Sequence, residues 1–483
     1  MTKPIFPSLI MLLTLGGCVV GPDYQAPEVT PASGWSAGQA VPESAEALRT
    51  FWQGFNDPVL NRLIARTIDG NLDLKVAGQR IRAAQDAARV AGSGGLPQVG
   101  LSAAAEERRQ SQTLEWPPRS PLYGEYTVYS AGLNASWELD LFGETRRRVE
   151  SARAGEAGAV EARRGVLISL TAAMAGDYAA FRATEARLEI ARDALRTAKQ
   201  AQVLAHRAYE AGDRSHLDVS EADARVHGVE AAIPPLQAQS DNLVHAMAIL
   251  LGSAPAEFGR ADLQGANGVP VAPALPASLP SEVIARRPDI RRAERDYAQA
   301  NANVGVSIAA LYPHFSIPLG YGPSTSSLRE AFNSASVVWR IGVSGSQSIY
   351  TGGRQTANVD AAKAGKDAAL LTYRQTVLKA FGEVEDALTL QAAERSRLGM
   401  ISAQVADSRQ AVIEAQGRYR QGQVGFLPVI DGQRQLLAAR DAEVASALAN
   451  CLAAISLYKA MGGGWDGVAL PNDASAPVAV AGR

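Results

Sequence analysis

The chain carries much of its own sequence twice. Laid against itself, Asn71-Leu72-Asp73-Leu74 through Leu96-Pro97 aligns without gaps to Arg287-Pro288-Asp289-Ile290 through Tyr312-Pro313. Further on, Leu141-Phe142 with Arg146 matches Ile349-Tyr350 with Arg354. Tyr209, Gly212, Leu217 and Val219 match Tyr419, Gly422, Leu427 and Val429, and Leu251-Gly252 matches Met461-Gly462. Ordered self-similarity of this kind marks a duplicated unit, here roughly 210 residues long, so the fold must build one succession of elements twice. The stretch from Gly259 to Pro280 is rich in Gly, Ala and Pro and reads as the connector between the halves.

The N-terminus limits where the chain works. A cationic start at Lys3, an apolar run from Ile5 to Leu15 and the small residues Leu15-Gly16-Gly17 before Cys18 form a bacterial lipobox, predicting cleavage after residue 17 and acylation of Cys18. Several acyl chains anchor stably where one would not. Val19-Val20 follow in place of the aspartate that retains lipoproteins at the inner membrane, so outer-membrane sorting is expected. The only other cysteine, Cys451, lies in an Ala/Leu-rich periodic stretch, so no intrachain disulfide framework is expected. No later run reaches the roughly 18 apolar residues of a spanning helix.

Each half then follows one grammar. A helical pattern stops at Pro97 or Pro313 and gives way to period-two alternation. Tyr129, Ala131, Leu133, Ala135, Trp137 and Leu139 form one face against Ser130, Gly132, Asn134, Ser136, Glu138 and Asp140. Val337, Trp339, Ile341 and Val343 do the same against Arg340, Gly342, Ser344 and Ser346. Strands are expected at about 97–109, 126–141, 313–321 and 336–349. A soluble sheet would alternate in the same way. With the lipobox the alternation reads as transmembrane, and four strands cannot close a barrel in lipid, where the smallest have about eight. Several copies must pool strands, and three would give twelve around a lumen lined by the polar faces.

Glu144 to Ala211 and Gly352 to Gln421 contain no proline. As helices they would run about 100 Å each, a length that suggests coiled-coil packing. Shorter helices at about 69–92, 216–251, 288–310 and 427–461 can stack alongside. The expected organisation is a signal peptide (1–17), an N-terminal extended or equatorial segment (18–68), repeat 1 (69–252), a connector (253–280), repeat 2 (281–464) and a tail (465–483). The fold class is thus an α+β membrane protein, with strands in a shared barrel continued by a helical barrel.

Other chemistries find little support. Net charge is −2, with basic residues scattered among acidic ones, which disfavours a nucleic-acid partner. His206, His216, His227, His245 and His314 show no spacing that would place two ligands on one helix face, so no metal is expected. Gly352-Gly353 is too short for a phosphate loop, Gly462-Gly463-Gly464 reads as a helix stop, and no Gly-x-Ser-x-Gly elbow occurs. No cofactor and no enzymatic activity are expected.

The motifs in order are the lipobox at Cys18, Phe51-Trp52 with Phe55 and Asp57-Pro58, Asn71-Leu72-Asp73-Leu74, Trp137 through Gly143, and Leu457 through Trp465. Together they resemble the TolC/OprM-like outer-membrane efflux proteins, in their lipoprotein (NodT-type) branch, over nearly the whole mature chain. The resemblance implies a homotrimer with a twelve-stranded barrel in outer-membrane lipid and a periplasmic helical barrel. It implies docking onto a periplasmic adaptor (membrane fusion) protein fed by an inner-membrane pump of RND type, and passive export of small molecules such as drugs. Metal efflux and type I protein secretion are alternatives within the same architecture, and a lipid-anchored coiled-coil scaffold is a remote one.

Leu427, Asp431 and Arg434 fall at i, i+4 and i+7 and so share one helix face. Leu217 and Glu221 hold the matching positions in the first half. In the family this face of the second repeat lines the closed pore constriction, which makes these five the candidate gate. The resemblance further implies that Tyr209 and Tyr419 pack the tips where the chain turns at Gly212 and Gly422, with Arg214 and Gln423 open to the adaptor. Pro428 departs from the family, which often has aspartate there, as the first repeat does at Asp218.

Overall fold

The computed structural model describes residues 19–29, 34–36, 45–109, 125–212, 215–265, 268–274 and 280–468. Cys18 with the signal peptide, Arg214 and the tail beyond residue 468 lie outside the described residues. The helices are α1 (Ala45–Arg49), α2 (Pro58–Gly70), α3 (Leu72–Ser93), α4 (Glu144–Glu210), α5 (His216–Ala231), α6 (Ile233–Leu250), α7 (Pro280–Arg286), α8 (Pro288–Ala309), α9 (Arg354–Arg420) and α10 (Leu427–Ala460). The strands are β1 (Gln98–Arg109), β2 (Glu125–Leu139), β3 (His314–Thr325), β4 (Val337–Ile341) and β5 (Ser344–Ser346). Contacts divide the chain into two units. The first comprises Met1–Glu28, Ile81–Ala159 and Ala293–Tyr373, and the second the remainder.

The first unit holds the sheet. β1, β2, β3 and β4 pair in that order, all antiparallel, with β5 also on β3. The sequence suggests one strand at about 336–349, but the ladder is interrupted after Ile341. The register is unbroken, Leu319 facing Ile341 and Ser316 facing Ser344. Pro318 sits opposite Gly342, where it accepts from the Gly342 N–H (3.2 Å) but has no N–H to return. β3 also extends to Thr325, beyond the expected end at 321. Helix α9 begins at Arg354 and not at 352, because Gly352 and Gly353 are both left-handed (φ 61° and 83°).

An N-terminal strap completes this unit. Arg147, buried on α4, donates to the carbonyls of Val20 and Gly21 (3.2 Å each) and pairs with Asp23 at 2.8 Å. Asn301 donates to the Pro22 carbonyl, and the Tyr24 hydroxyl donates to Glu294 at 2.7 Å. Burial, then the Glu294 hydrogen bond, push the Tyr24 phenol well above its ordinary range. The strap crosses Gly305 at Gly21, where a Cβ would stand 2.5 Å from the Gly305 Cα, so no larger residue fits.

The second unit holds the main core. Phe51 stacks on Tyr458 (centroids 4.4 Å apart) while Trp52 and Phe55 close around Phe51. Such aromatic pairs add about 0.5–1.5 kcal/mol each beyond area burial. Asp57 explains the neighbouring motif: one carboxylate oxygen caps α2 by accepting from Val59 and Leu60, and the other accepts from the buried Tyr178 hydroxyl at 2.8 Å. The segment expected to be extended therefore contains α1 and α2, both missed. The duplicated helix ends are satisfied by side chains. Asn71 donates to the Leu250 carbonyl at the end of α6, and Arg287 donates to the Ala460 carbonyl at the end of α10 (2.8 and 2.9 Å).

One further boundary differs. The helix expected over 216–251 is two helices that meet at Ala232, because Pro234 and Pro235 lack the N–H groups a continuous helix requires and are tolerated in the first turn of a new one.

Candidate functional site

In the first unit the register sorts the sheet into two faces. Leu101, Leu133, Tyr321 and Trp339 lie directly across from one another, as do Val99, Ala135, Leu319 and Ile341. The intervening row is Gly100, Asn134, Gly320 and Arg340. Side chains alternate between faces, so through these rows one face is apolar and the other polar, the apolar face giving way to Glu107 and Arg109 at the end of β1. The apolar face is exposed, including Leu101, Leu133, Tyr321 and Trp339, and an exposed apolar band of this kind suits lipid.

On the polar face His314 Nδ1 stands 3.1 Å from Glu138 Oε1 and 3.6 Å from Glu144 Oε2, which has no hydrogen bond. Sequence spacing misses this group because its members come from two strands and a helix start. It reads as a histidine between two carboxylates.

In the second unit α4 and α9 both end in a left-handed glycine. Gly212 (φ 74°) donates to the Tyr209 carbonyl and Gly422 (φ 73°) to that of Tyr419, and the Gln423 N–H reaches back to Arg418. An aromatic pair follows each turn: Tyr209 sets its ring edge-on to His216 at 5.5 Å, and Tyr419 tilts against Phe426 at 5.3 Å. These are repeat equivalents, and the partners His216 and Phe426 escaped sequence reasoning. Tyr209 is exposed, whereas Tyr419 packs on a small core of Ala205, Ala222, Phe426, Val429 and Ile430. Gln423 is exposed, and its side-chain amide donates to Gln421.

That small core orients the candidate gate. Val429 is buried on the far side of α10 and Ile430 at the flank, while Leu427 (56% exposed), Asp431 and Arg434 are exposed. Asp431 and Arg434 are 3.9 Å apart, a loose ion pair. In the first repeat Val219 and Ala222 are buried and Leu217 is 64% exposed, with Glu221 half-buried. Both repeats thus expose a leucine, and the second exposes the carboxylate that follows it.

Cross-links tie this region to α4. Gln202 and His206 both reach Asp223 (2.8 and 3.1 Å) and hold its carboxyl below the ordinary range. Arg187 grips Asp441 through two nitrogens (2.6 and 3.0 Å), and Arg440 reaches Asp193. None of these pairs was foreseen. Cys451 is buried, which pushes its thiol up to about 12 and leaves it chemically quiet. Carboxylates and leucines on one outward face can form a constriction and attract cations when copies converge, but they offer no nucleophile or tuned acid.

The model of the family described as outer membrane efflux protein matches residues 63–253 and again 279–463, one match per repeat. The chain is 31% identical over 471 residues to the antibiotic efflux pump outer membrane protein ArpC of Pseudomonas putida, covering 96% of each. It is 30% identical to the toluene efflux pump outer membrane protein TtgC of Pseudomonas putida, again covering 96% of each. Among solved structures, the outer-membrane channel OprN superposes with a TM-score of 0.84 at 34% identity, over 93% of this chain and 100% of that one.

Proposed function

The chain belongs to the outer membrane efflux protein family, and on that premise we propose that it gates the exit duct of a tripartite efflux system at the outward face of Leu427, Asp431 and Arg434. The duct itself is an outer-membrane channel of three copies, whose twelve strands close a barrel and whose helices extend into the periplasm. It conducts passively.

In the proposed gate, threefold symmetry gathers Leu427 and Asp431 into rings, with Leu217 and Glu221 adding a second tier from the first repeat. The observation that carries this is the exposed leucine one turn from the exposed Asp431, on the side of α10 away from the buried Val429. Tyr209 and Tyr419 brace the turns at Gly212 and Gly422. Arg214 and Gln423 offer polar contacts to a periplasmic adaptor, and the inner-membrane pump is of RND type. Cys18 bears the lipid. Relatives named for antibiotics and toluene support small molecules such as drugs as cargo.

The gate is tested by replacing Leu427 and Asp431 together with alanine. Single-channel conductance in planar bilayers should rise several-fold and block by divalent cations should weaken, with the trimer intact. Conductance and block like those of the unmodified protein would move the gate elsewhere.

A further inference from the structure

The break between α5 and α6 borders a cavity of 580 Å³ within the second unit. Its apolar wall includes Ile190 of α4, Leu236 of α6 and Leu437 of α10. Its charges are three arginines, Arg187, Arg225 and Arg434, against one aspartate. Arg187 is already neutralised by Asp441, and among the described residues Arg434 pairs loosely with Asp431 at 3.9 Å.

Arg225 has no ion pair among the described residues, and its Nε is buried without a hydrogen-bond partner. Burial and the charge of Arg434 both disfavour its cation. A buried guanidinium nitrogen left unpaired is costly, and it lowers that cost when an acceptor arrives. The volume lies in the range of about 300–1,000 Å³ typical of small-molecule sites, and apolar walls with a few convergent polar groups are their usual make-up.

We propose that this cavity is a binding site for a small amphiphilic anion, an aromatic or aliphatic carboxylate or sulfonate whose acid group pairs with Arg225 and Arg434 while its apolar body lies against Ile190, Leu236 and Leu437. The site shares Arg434 with the proposed gate, but the two positions to be changed, Arg225 and Gly228, take no part in that gate, so failure of one reading is distinguishable from failure of the other. Gly228 lines the cavity, and a Cβ built there meets no atom within 4 Å. A side chain started at this cavity-lining position has open space around its Cβ, so a larger residue is tolerated there and narrows the site.

Calorimetric titration of 2-naphthoate into the detergent-solubilised trimer, with the neutral 2-naphthalenemethanol as control, tests the proposal. Saturable binding of the acid is expected, with Arg225→Gln weakening it about tenfold or more, as loss of a charged hydrogen bond implies. Gly228→Leu should abolish binding while leaving the trimer intact, and the alcohol should bind far more weakly than the acid. Equal binding of acid and alcohol, or unchanged binding in Gly228→Leu, would overturn the site. So would no binding to the unmodified trimer, and if Arg225→Gln then also dissociated the trimer, the arginine would belong to a subunit contact.

Discussion

The two repeats solve the same junction with different chemistry. Where α6 and α10 end, each leaves a carbonyl to be satisfied, and each is followed two residues later by a left-handed glycine, Gly252 or Gly462. The first repeat uses the neutral amide of Asn71, which also caps α3 by accepting from Leu74. The second uses the guanidinium of Arg287, which pairs with Asp289 and Glu383 at 2.6 Å each. Both side chains are buried. Duplication has preserved the backbone's demand and not the residue that meets it. The same holds along the return helices: the first is broken at Pro234-Pro235, while α10 is continuous through the equivalent Val444-Ala445.

The largest test imposes the first repeat's break on the second. Val444→Pro should cost about 3 kcal/mol or more, through the lost helical hydrogen bond and the clash with the preceding turn. Thermal denaturation followed by circular dichroism reads it. An unchanged midpoint would mean that α10 has a break the structure does not contain. Replacing Pro234 and Pro235 by alanine should alter stability little, since both occupy a first turn.

Next in size is the junction. Arg287→Ala should cost about 2–3 kcal/mol, because a helix-end carbonyl and two carboxylates lose their partner, with the half-exposed carboxylates limiting the loss. Asn71→Ala should cost about 1–2 kcal/mol. Equal losses in urea unfolding of the two variants would erase the distinction.

The smallest effect is in acid. Burial pushes the Asp289 carboxyl up, but the hydrogen bond and charge of Arg287 outweigh it, and the group titrates below its ordinary value. A depressed carboxyl stabilises the fold above its unfolded value of about 3.9 and loses that contribution as pH falls through the folded value. Asp289→Asn should therefore destabilise by less than about 1 kcal/mol at neutral pH, given the half-exposed side chain, and by less still below about pH 4. A difference that grew in acid would reverse the assigned sign. Asn71 has no such dependence.

Much of this was legible in the chain. The repeat, the alternation from Tyr129 onward and the proline-free runs are local or periodic signals, and the long helices and strands lie where those signals put them. What escaped has physical causes. Helix α2 is the exception, since it does carry local signals, Asp57 and Pro58 at its start and Leu60, Leu63, Ile64 and Thr67 on one buried face, which the expectation of an extended segment passes over. The break at Pro234-Pro235 was overridden by the apolar spacing on either side. The split of the last strand needed the partner strand, because only the register reveals that Pro318 faces Gly342. Of the candidate gate, the shared face of Leu427, Asp431 and Arg434 follows from spacing alone, but which way it turns depends on Val429 and Ile430 meeting Ala205 and Ala222, which are far apart in sequence. Ion pairs such as Arg187 with Asp441 are invisible for the same reason.

The open sheet has a genetic consequence. Among the described residues, the outer edges of β1 and of β4 pair with no strand, so a lone chain in lipid leaves a row of backbone donors and acceptors without partners. Completion therefore waits on the encounter of three chains, and its rate should fall steeply on dilution. A damaged copy that still supplies one good edge is incorporated rather than discarded. In a cell making equal amounts of intact and damaged chains that assemble at random, only about one trimer in eight would be wholly intact, as threefold closure requires. Lesions in the strands should therefore behave as dominant, whereas lesions that prevent a chain from folding at all should be recessive.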